Sequence, residues 1–385
     1  MPRTPDLASA VTSMRGSVFS ALAHRLAGYQ GEVYPFHVGD TWMEPAEGCR
    51  MEDLTVAEHP GLHRYERPQG RKALVEAIAA RAEARTGLPT EPREVLVTTG
   101  ATGGLGAVVG ALVEPGEEVL ILAPHWPLIE GIVRSARGVP LAVPFYGQVD
   151  SPEAAREAVA SRIGRRTVAL YVSTPNNPTG RRIPRAWLEA LAEWARSESL
   201  WLLADEVYED YDYRGEHAYT RPLAPERTFS VHSFSKAYGM AGNRCGYVVG
   251  PAAAMAEVRK VATHTFYSTP TASQIAAERV LGEPGDRWIA RARELYREIG
   301  ERSAALLGLA PPEGSTFLFL DVAEHLDTTG LEGFLGRCID RGLFAAPGPS
   351  FGPYPTSLRV CYTATPPEVT ERGMRVLAGL LGRST

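Results

Sequence analysis

From Gly87 onward the sequence alternates short, continuously apolar runs with stretches of helical spacing, and no other feature constrains the fold as tightly. The runs are Val95–Thr98, Val119–Leu122, Val168–Val172, Leu200–Ala204, Phe229–His232 and Gly246–Val249. A strand with one face in water alternates polar and apolar residues. These runs do not, which predicts strands covered on both faces of a mostly parallel sheet. Helical spacing over 103–113, 128–136, 154–163 and 185–197 supplies the covering layers. The expectation is an α/β fold with a large domain over 41–284.

The flanks read differently. A helical pattern covers 7–26, Val33–Val38 reads as a short strand leading into Gly39, and 71–85 has helical spacing again. From Thr271 a long helical region runs to Leu309 with a break near Gly282–Gly285. A βαβ-like tail follows: Thr316–Leu320, a helix over 331–341, and Leu358–Tyr362. A final helix covers 367–381. The tail and the N-terminal segment, 285–385 and 1–40, are expected to form a smaller α/β domain together.

A net charge of −5 and the absence of any basic run argue against a nucleic-acid binder. Cys49, Cys245, Cys338 and Cys361 have no paired spacing for zinc or a disulfide framework, so no metal is expected. No apolar run reaches membrane-spanning length and no leader-like segment opens the chain. A cytoplasmic protein that needs neither membrane nor nucleic acid is the expectation.

In open α/β sheets ligands collect at the carboxyl ends of strands, and the polar and small residues of this chain cluster there. Thr98-Thr-Gly100-Ala101-Thr102-Gly103 follows the first run, where a strand-to-helix turn exposes N–H groups to an anion. The spacing Gly104-Leu-Gly106-Ala-Val-Val-Gly110 misses a dinucleotide fingerprint, and close helix packing explains those glycines as well. Pro124-His125-Trp126 follows the second run, Asn176-Asn177-Pro178 the third, and Asp205 closes the fourth. Trp126 is either core packing or a platform for a planar ring. Asp205 at the end of so apolar a strand needs a partner, and a protonated ring nitrogen would serve. The fifth run leads into Ser233-Phe-Ser-Lys236-Ala-Tyr-Gly-Met-Ala-Gly-Asn-Arg244. Lys236 is either a solvated loop lysine or an amine with lowered pKa able to attack a carbonyl, with Ser233 and Arg244 beside a phosphate.

Taken together, Asn177-Pro-Thr-Gly, Asp205-Glu-Val-Tyr208 and Ser233-x-Ser-Lys236-x7-Arg244-x-Gly resemble the class I aminotransferases of the fold-type I pyridoxal-phosphate group, from Gly39 to Arg359. The resemblance implies pyridoxal 5'-phosphate as cofactor, bound through Lys236, which then moves the substrate α-proton. It implies that Asp205 pairs with the ring nitrogen, Asn177 and Tyr208 with the phenolic oxygen, and that Trp126 stacks on the ring. The phosphate would be held around Gly100, by the amides of Ala101 and Thr102, the hydroxyls of Thr102 and Ser233, and Arg244. Tyr65 resembles the tyrosine that reaches a neighbouring subunit's phosphate, which implies a homodimer with shared sites. Arg359 and Gly39 match the groups around the substrate α-carboxylate, and Pro347–Gly352 the loop that closes over it. Cis peptides are implied before Pro124 or Pro178.

The implied reaction moves an α-amino group between an amino acid and a 2-oxo acid in a ping-pong cycle. An oxidase, β-lyase or decarboxylase on the same scaffold is the alternative, since every residue named serves carbanion formation. A ligand-binding regulatory module is the other, and it would need a DNA-binding domain for which the matched region leaves no room. Gly39-Asp-Thr-Trp42-Met-Glu-Pro45 departs from the family's common form and leaves the substrate side chain open. No second arginine is marked for a dicarboxylate.

Overall fold

The computed structural model describes residues 5–12, 14 and 28–383. Its centre is a seven-stranded sheet built from β1 (Val95–Thr98), β2 (Glu118–Ala123), β3 (Val139–Pro144), β4 (Thr167–Ser173), β5 (Trp201–Asp205), β6 (Thr228–Ser233) and β7 (Gly246–Val249). The order is β1-β7-β6-β5-β4-β2-β3. Pairings among β2 to β6 are parallel, whereas β7 runs antiparallel to both β1 and β6. The six predicted runs are all strands, and almost every residue in β1, β2 and β4 to β7 is buried, as their unbroken apolarity requires. Apolar side chains fill the space on both sides of the sheet in two separate clusters.

One strand and one helix escape the sequence reading. Pro140 and Pro144 make β3 look unlike a strand, yet it lies at the sheet edge, where a missing N–H leaves no ladder bond unmade. The helix Ala252–Thr265 packs along Gly100–Leu112. There the small face of the latter helix admits close contact, with Gly110 beside Val261. The long helical region divides as expected, into Thr271–Val280 and Glu283–Leu306.

Two expectations need correction. The tail is not a βαβ unit. Its β8 (Phe317–Asp321) and β10 (Ser357–Cys361) are antiparallel neighbours, and β9 (Ala346–Pro347) completes a three-stranded antiparallel sheet. The chain passes from β8 through the helix Gly330–Ile339 and β9 before it returns beside β8, which reverses the direction a direct crossover would give. The segment 33–38 is not a regular strand either. Tyr34 makes a single parallel bridge to Leu343, and the chain turns after it. Val38 N–H donates to the Pro35 carbonyl in that turn. Of the pattern over 7–26, Ser9–Thr12 is helical and residues 13 and 15–27 lie outside the described residues.

The segment 34–40 nonetheless packs with the tail. Cys361 N donates to the Phe36 carbonyl at 2.7 Å, and the Arg359 guanidinium donates to the His37 carbonyl at 2.6 Å. This brings Gly39 to the carboxyl edge of the large sheet. Among the described residues no helix is long and apolar enough to cross a membrane. All four cysteines are buried and free.

Candidate active site

The carboxyl ends of β2, β4, β5 and β6 and the antiparallel tail sheet enclose a cavity of about 280 Å³. Lys236, Asp205, Asn177, Tyr208, Ser233, Arg244, Trp126, Ala101, Thr102, Gly39 and Arg359 all line it. Of the predicted site residues, Gly100 borders the cavity through Arg244, and Tyr65 lies outside it. Tyr65 is 85% exposed and packs edge-on against Tyr267 at 5.1 Å.

One end of the cavity suits an anion. The helix Gly100–Leu112 begins here, and Thr99 gives its first turn no side-chain cap, so backbone donors are left facing outward. Gly100 has φ +71°, and a Cβ there would meet the Arg244 guanidinium at 2.5 Å, so only glycine allows the cation to lie against this turn. Arg244 is anchored by donating to the Ala241 carbonyl at 2.8 Å and, more weakly, to Ser235 Oγ at 3.4 Å. The Ser233 hydroxyl caps its own short helix, accepting from Ser235 N at 3.0 Å.

The middle of the cavity holds an amine and a carboxylate. The chain has three lysines: Lys72 and Lys260 lie on exposed helix faces, whereas Lys236 is drawn inward and donates to the Gly39 carbonyl. Burial lowers the Lys236 pKa, with Asp40 opposing and Arg359 and Arg244 adding to the fall. The solvated-loop alternative for this lysine is therefore set aside. Asp205 is buried at the end of β5, and burial pushes its carboxyl up to about 6. The opposing pull comes first from Tyr171, whose hydroxyl donates to Asp205 Oδ2 at 2.5 Å. A cationic partner in the cavity would restore the ionised form. The adjacent Glu206 belongs to another environment, accepting from Thr220 N at 2.8 Å near His217 and His232.

The far end is built for a carboxylate. Arg359, on β10, is buried; it donates to Asn177 Oδ1 at 3.0 Å and to the His37 carbonyl. Phe317 and Phe351 sit against its guanidinium at 4.3 and 5.0 Å from the ring centroids. Its Nε is buried with no hydrogen-bond partner, and among the described residues no carboxylate forms an ion pair with it. Burial accordingly lowers its pKa. Gly39 must be small here, since a Cβ would meet Phe317 at 2.9 Å.

The neighbouring residues sort themselves. Asn176 serves the loop, accepting from Thr179 N at 3.0 Å and donating to the Pro124 carbonyl at 3.3 Å, which leaves Asn177 to face the cavity. Tyr208 is buried with its ring edge-on to Phe317. His125 is held by Trp126 and Glu130 as a loop histidine. Peptides before Pro124 and Pro178 are cis, as is the one before Pro175. The sequence reading missed Tyr171 and Phe317, and it placed Ser235 and Phe351 at the site only as members of their loops. Tyr171 lies inside an apolar strand and only the β4–β5 register brings it to Asp205.

The residues present fit a phosphorylated pyridine aldehyde. An uncapped helix start with Arg244 would suit its phosphate, a buried amine its aldehyde, and a desolvated carboxyl a protonated ring nitrogen.

A profile of the family described as aminotransferase class I and II matches residues 34–377. The aspartate/prephenate aminotransferase of Thermus thermophilus is 33% identical over 338 residues, 84% of this chain and 85% of that protein. A probable aspartate/prephenate aminotransferase of Thermus aquaticus is 37% identical over 275 residues, 68% of this chain and 70% of its own. An arginine–pyruvate transaminase of Pseudomonas aeruginosa is 35% identical over 304 residues, 76% of each chain. Among solved structures, Thermus thermophilus aspartate aminotransferase with maleate superposes at a TM-score of 0.89 with 29% identity, covering 98% of this chain and all of that one.

Proposed function

This chain belongs to the class I and II aminotransferases and is a pyridoxal-phosphate-dependent enzyme of fold type I, and from that premise we propose how its residues divide the work. The observation that carries the proposal is the buried Arg359, a cation without an acidic partner among the described residues, facing the same cavity as Lys236 and Asp205. Pyridoxal phosphate, once bound, supplies an electron-poor ring that accepts the charge left when a substrate α-proton departs.

Arg359 binds the α-carboxylate of the amino acid or 2-oxo acid as a fork, and Asn177 fixes the plane of that fork. Lys236, deprotonated more readily than a surface lysine, would take the substrate α-proton and pass it to the cofactor's aldehyde carbon in the first half-reaction, and move a proton the opposite way in the second. Asp205 holds a positive charge at the ring nitrogen, and Tyr171 holds Asp205. Tyr208 and Asn177 meet the ring oxygen, Trp126 covers one ring face, and Phe317 and Phe351 exclude water around Arg359. Ala101, Thr102, Ser233 and Arg244 hold the phosphate beside Gly100. Residues 41–284 are assigned to the cofactor-binding domain, and 1–40 with 285–385 to the smaller one. A cytoplasmic location belongs to the same proposal.

Arg359→Lys tests the carboxylate site. A lysine keeps the charge but loses the two-pronged contact, so kcat/KM is expected to fall roughly 30–100-fold, mostly through KM. An unchanged KM in steady-state kinetics would place the substrate elsewhere.

The exposed Tyr65–Tyr267 pair fits a second subunit better than water. The proposal is a homodimer in which Tyr65 serves the neighbouring cavity. Sedimentation velocity of the cofactor-loaded protein should give twice the chain mass, and a monomer that remained fully active would contradict it.

A further inference from the structure

The cavity wall says what kind of substrate fits, given the site assignment above on which this inference rests. Four charged side chains line the cavity among the described residues: Asp205, Lys236, Arg244 and Arg359. Each already has a task. Arg244 lies against the Gly100 turn, Asp205 and Lys236 bracket the ring, and Arg359 takes the α-carboxylate. Among the described residues of this chain no cation is left over for a second carboxylate, and no carboxylate for a cationic side chain.

The remaining wall is apolar. Trp126, Pro127 and Leu128 form it at the start of the helix Leu128–Ser135, and Phe317, Ala346 and Phe351 on the tail side. Leu128 is 51% exposed, an apolar side chain at the mouth of the cavity that the described residues leave half uncovered. A charged side chain brought against this wall would shed water and gain no partner. A branched aliphatic or aromatic one would bury surface on both sides, and rings would meet Phe317 and Phe351 edge-on or offset.

We propose that the enzyme's amino acid substrate carries an uncharged apolar side chain, aromatic or branched aliphatic, seated between the Trp126–Leu128 turn and the Phe317–Phe351 wall. The site selects against side-chain carboxylates and guanidiniums because its described lining offers them no counter-charge.

The test is a single-turnover comparison on the cofactor-loaded enzyme, following the absorbance of the bound cofactor with L-phenylalanine, L-leucine, L-aspartate and L-arginine. Phenylalanine or leucine should exceed aspartate and arginine by about 100-fold in the second-order rate constant, a difference of about 2.7 kcal/mol. Equal or faster conversion of aspartate or arginine would overturn the substrate class while leaving the aminotransferase site intact. Conversion of none of the four would overturn the site assignment, and the substrate class with it. Equilibrium binding gives a readout free of turnover: 3-phenylpropionate should bind about tenfold or more tightly than succinate, and the reverse order would overturn the proposal. Leu128→Lys, an exposed change that leaves the core untouched, should raise aspartate conversion by about tenfold and lower that of leucine. An unaltered preference would overturn the placement of the side chain at this wall.

Discussion

Replacing Lys236 with alanine is expected to lower kcat by about 10⁴-fold or more while leaving the fold intact. The large effect follows from two roles in one amine, the covalent hold on the cofactor and the transfer of the α-proton. The small effect on stability follows from the surroundings. Lys236 stands in a four-residue helix, its amine is desolvated, and its hydrogen bond is to the Gly39 carbonyl alone. Removing such a group relieves a buried charge as much as it forfeits a contact, so the unfolding free energy should move by no more than about 1 kcal/mol. Thermal denaturation and steady-state kinetics on one preparation check both halves. Near wild-type turnover in the variant would remove Lys236 from the mechanism.

Asp205→Asn carries the second large effect. The side chain keeps its shape but can no longer hold a positive charge, and kcat should fall about 10²- to 10³-fold. The carboxyl also leaves a signature in stability. Its pKa in the folded protein is raised to about 6 from an ordinary value of 3.8, chiefly by burial. The folded apoprotein therefore binds this proton more tightly than the unfolded chain does. Stability from this group is fully present below pH 3.8 and is lost as pH rises through about 6. The loss amounts to about 3 kcal/mol at most, and it should vanish from the difference curve in Asp205→Asn. Tyr171→Phe should shift the window upward, because the hydroxyl that donates to Asp205 Oδ2 is gone. It should also lower kcat about tenfold. Urea unfolding across pH 4 to 7 reads both variants, and identical pH profiles for wild type and Asp205→Asn would contradict the assignment.

Much of this site was legible because its residues follow apolar runs. Gly100, Trp126, Asn177, Asp205 and Ser233 each come at or just after the carboxyl end of a buried strand. Parallel pairing among β2 to β6, and two antiparallel steps through β7 for β1, gather those ends on one edge. What stayed hidden depended on register or on contacts distant in sequence. Tyr171 looks like one more apolar strand residue until β4 and β5 are aligned. Phe317 comes from the tail, whose antiparallel order a reading of successive elements turned into a parallel unit. The prolines of β3 concealed a strand because an edge position excuses them, and edge position is not written in any local pattern. Tyr65 remains a prediction about a second subunit, since its own chain leaves it outside the cavity.

The claim beneath these predictions is that one lysine, and no other, holds the cofactor. With Lys72 and Lys260 as the only alternatives, both on exposed helix faces, the test is unambiguous. The enzyme loaded with pyridoxal phosphate is reduced with borohydride, digested, and mapped by mass spectrometry. The phosphopyridoxyl label should fall stoichiometrically on the peptide that contains Lys236. A label on Lys72 or Lys260 with Lys236 unmodified would contradict the account.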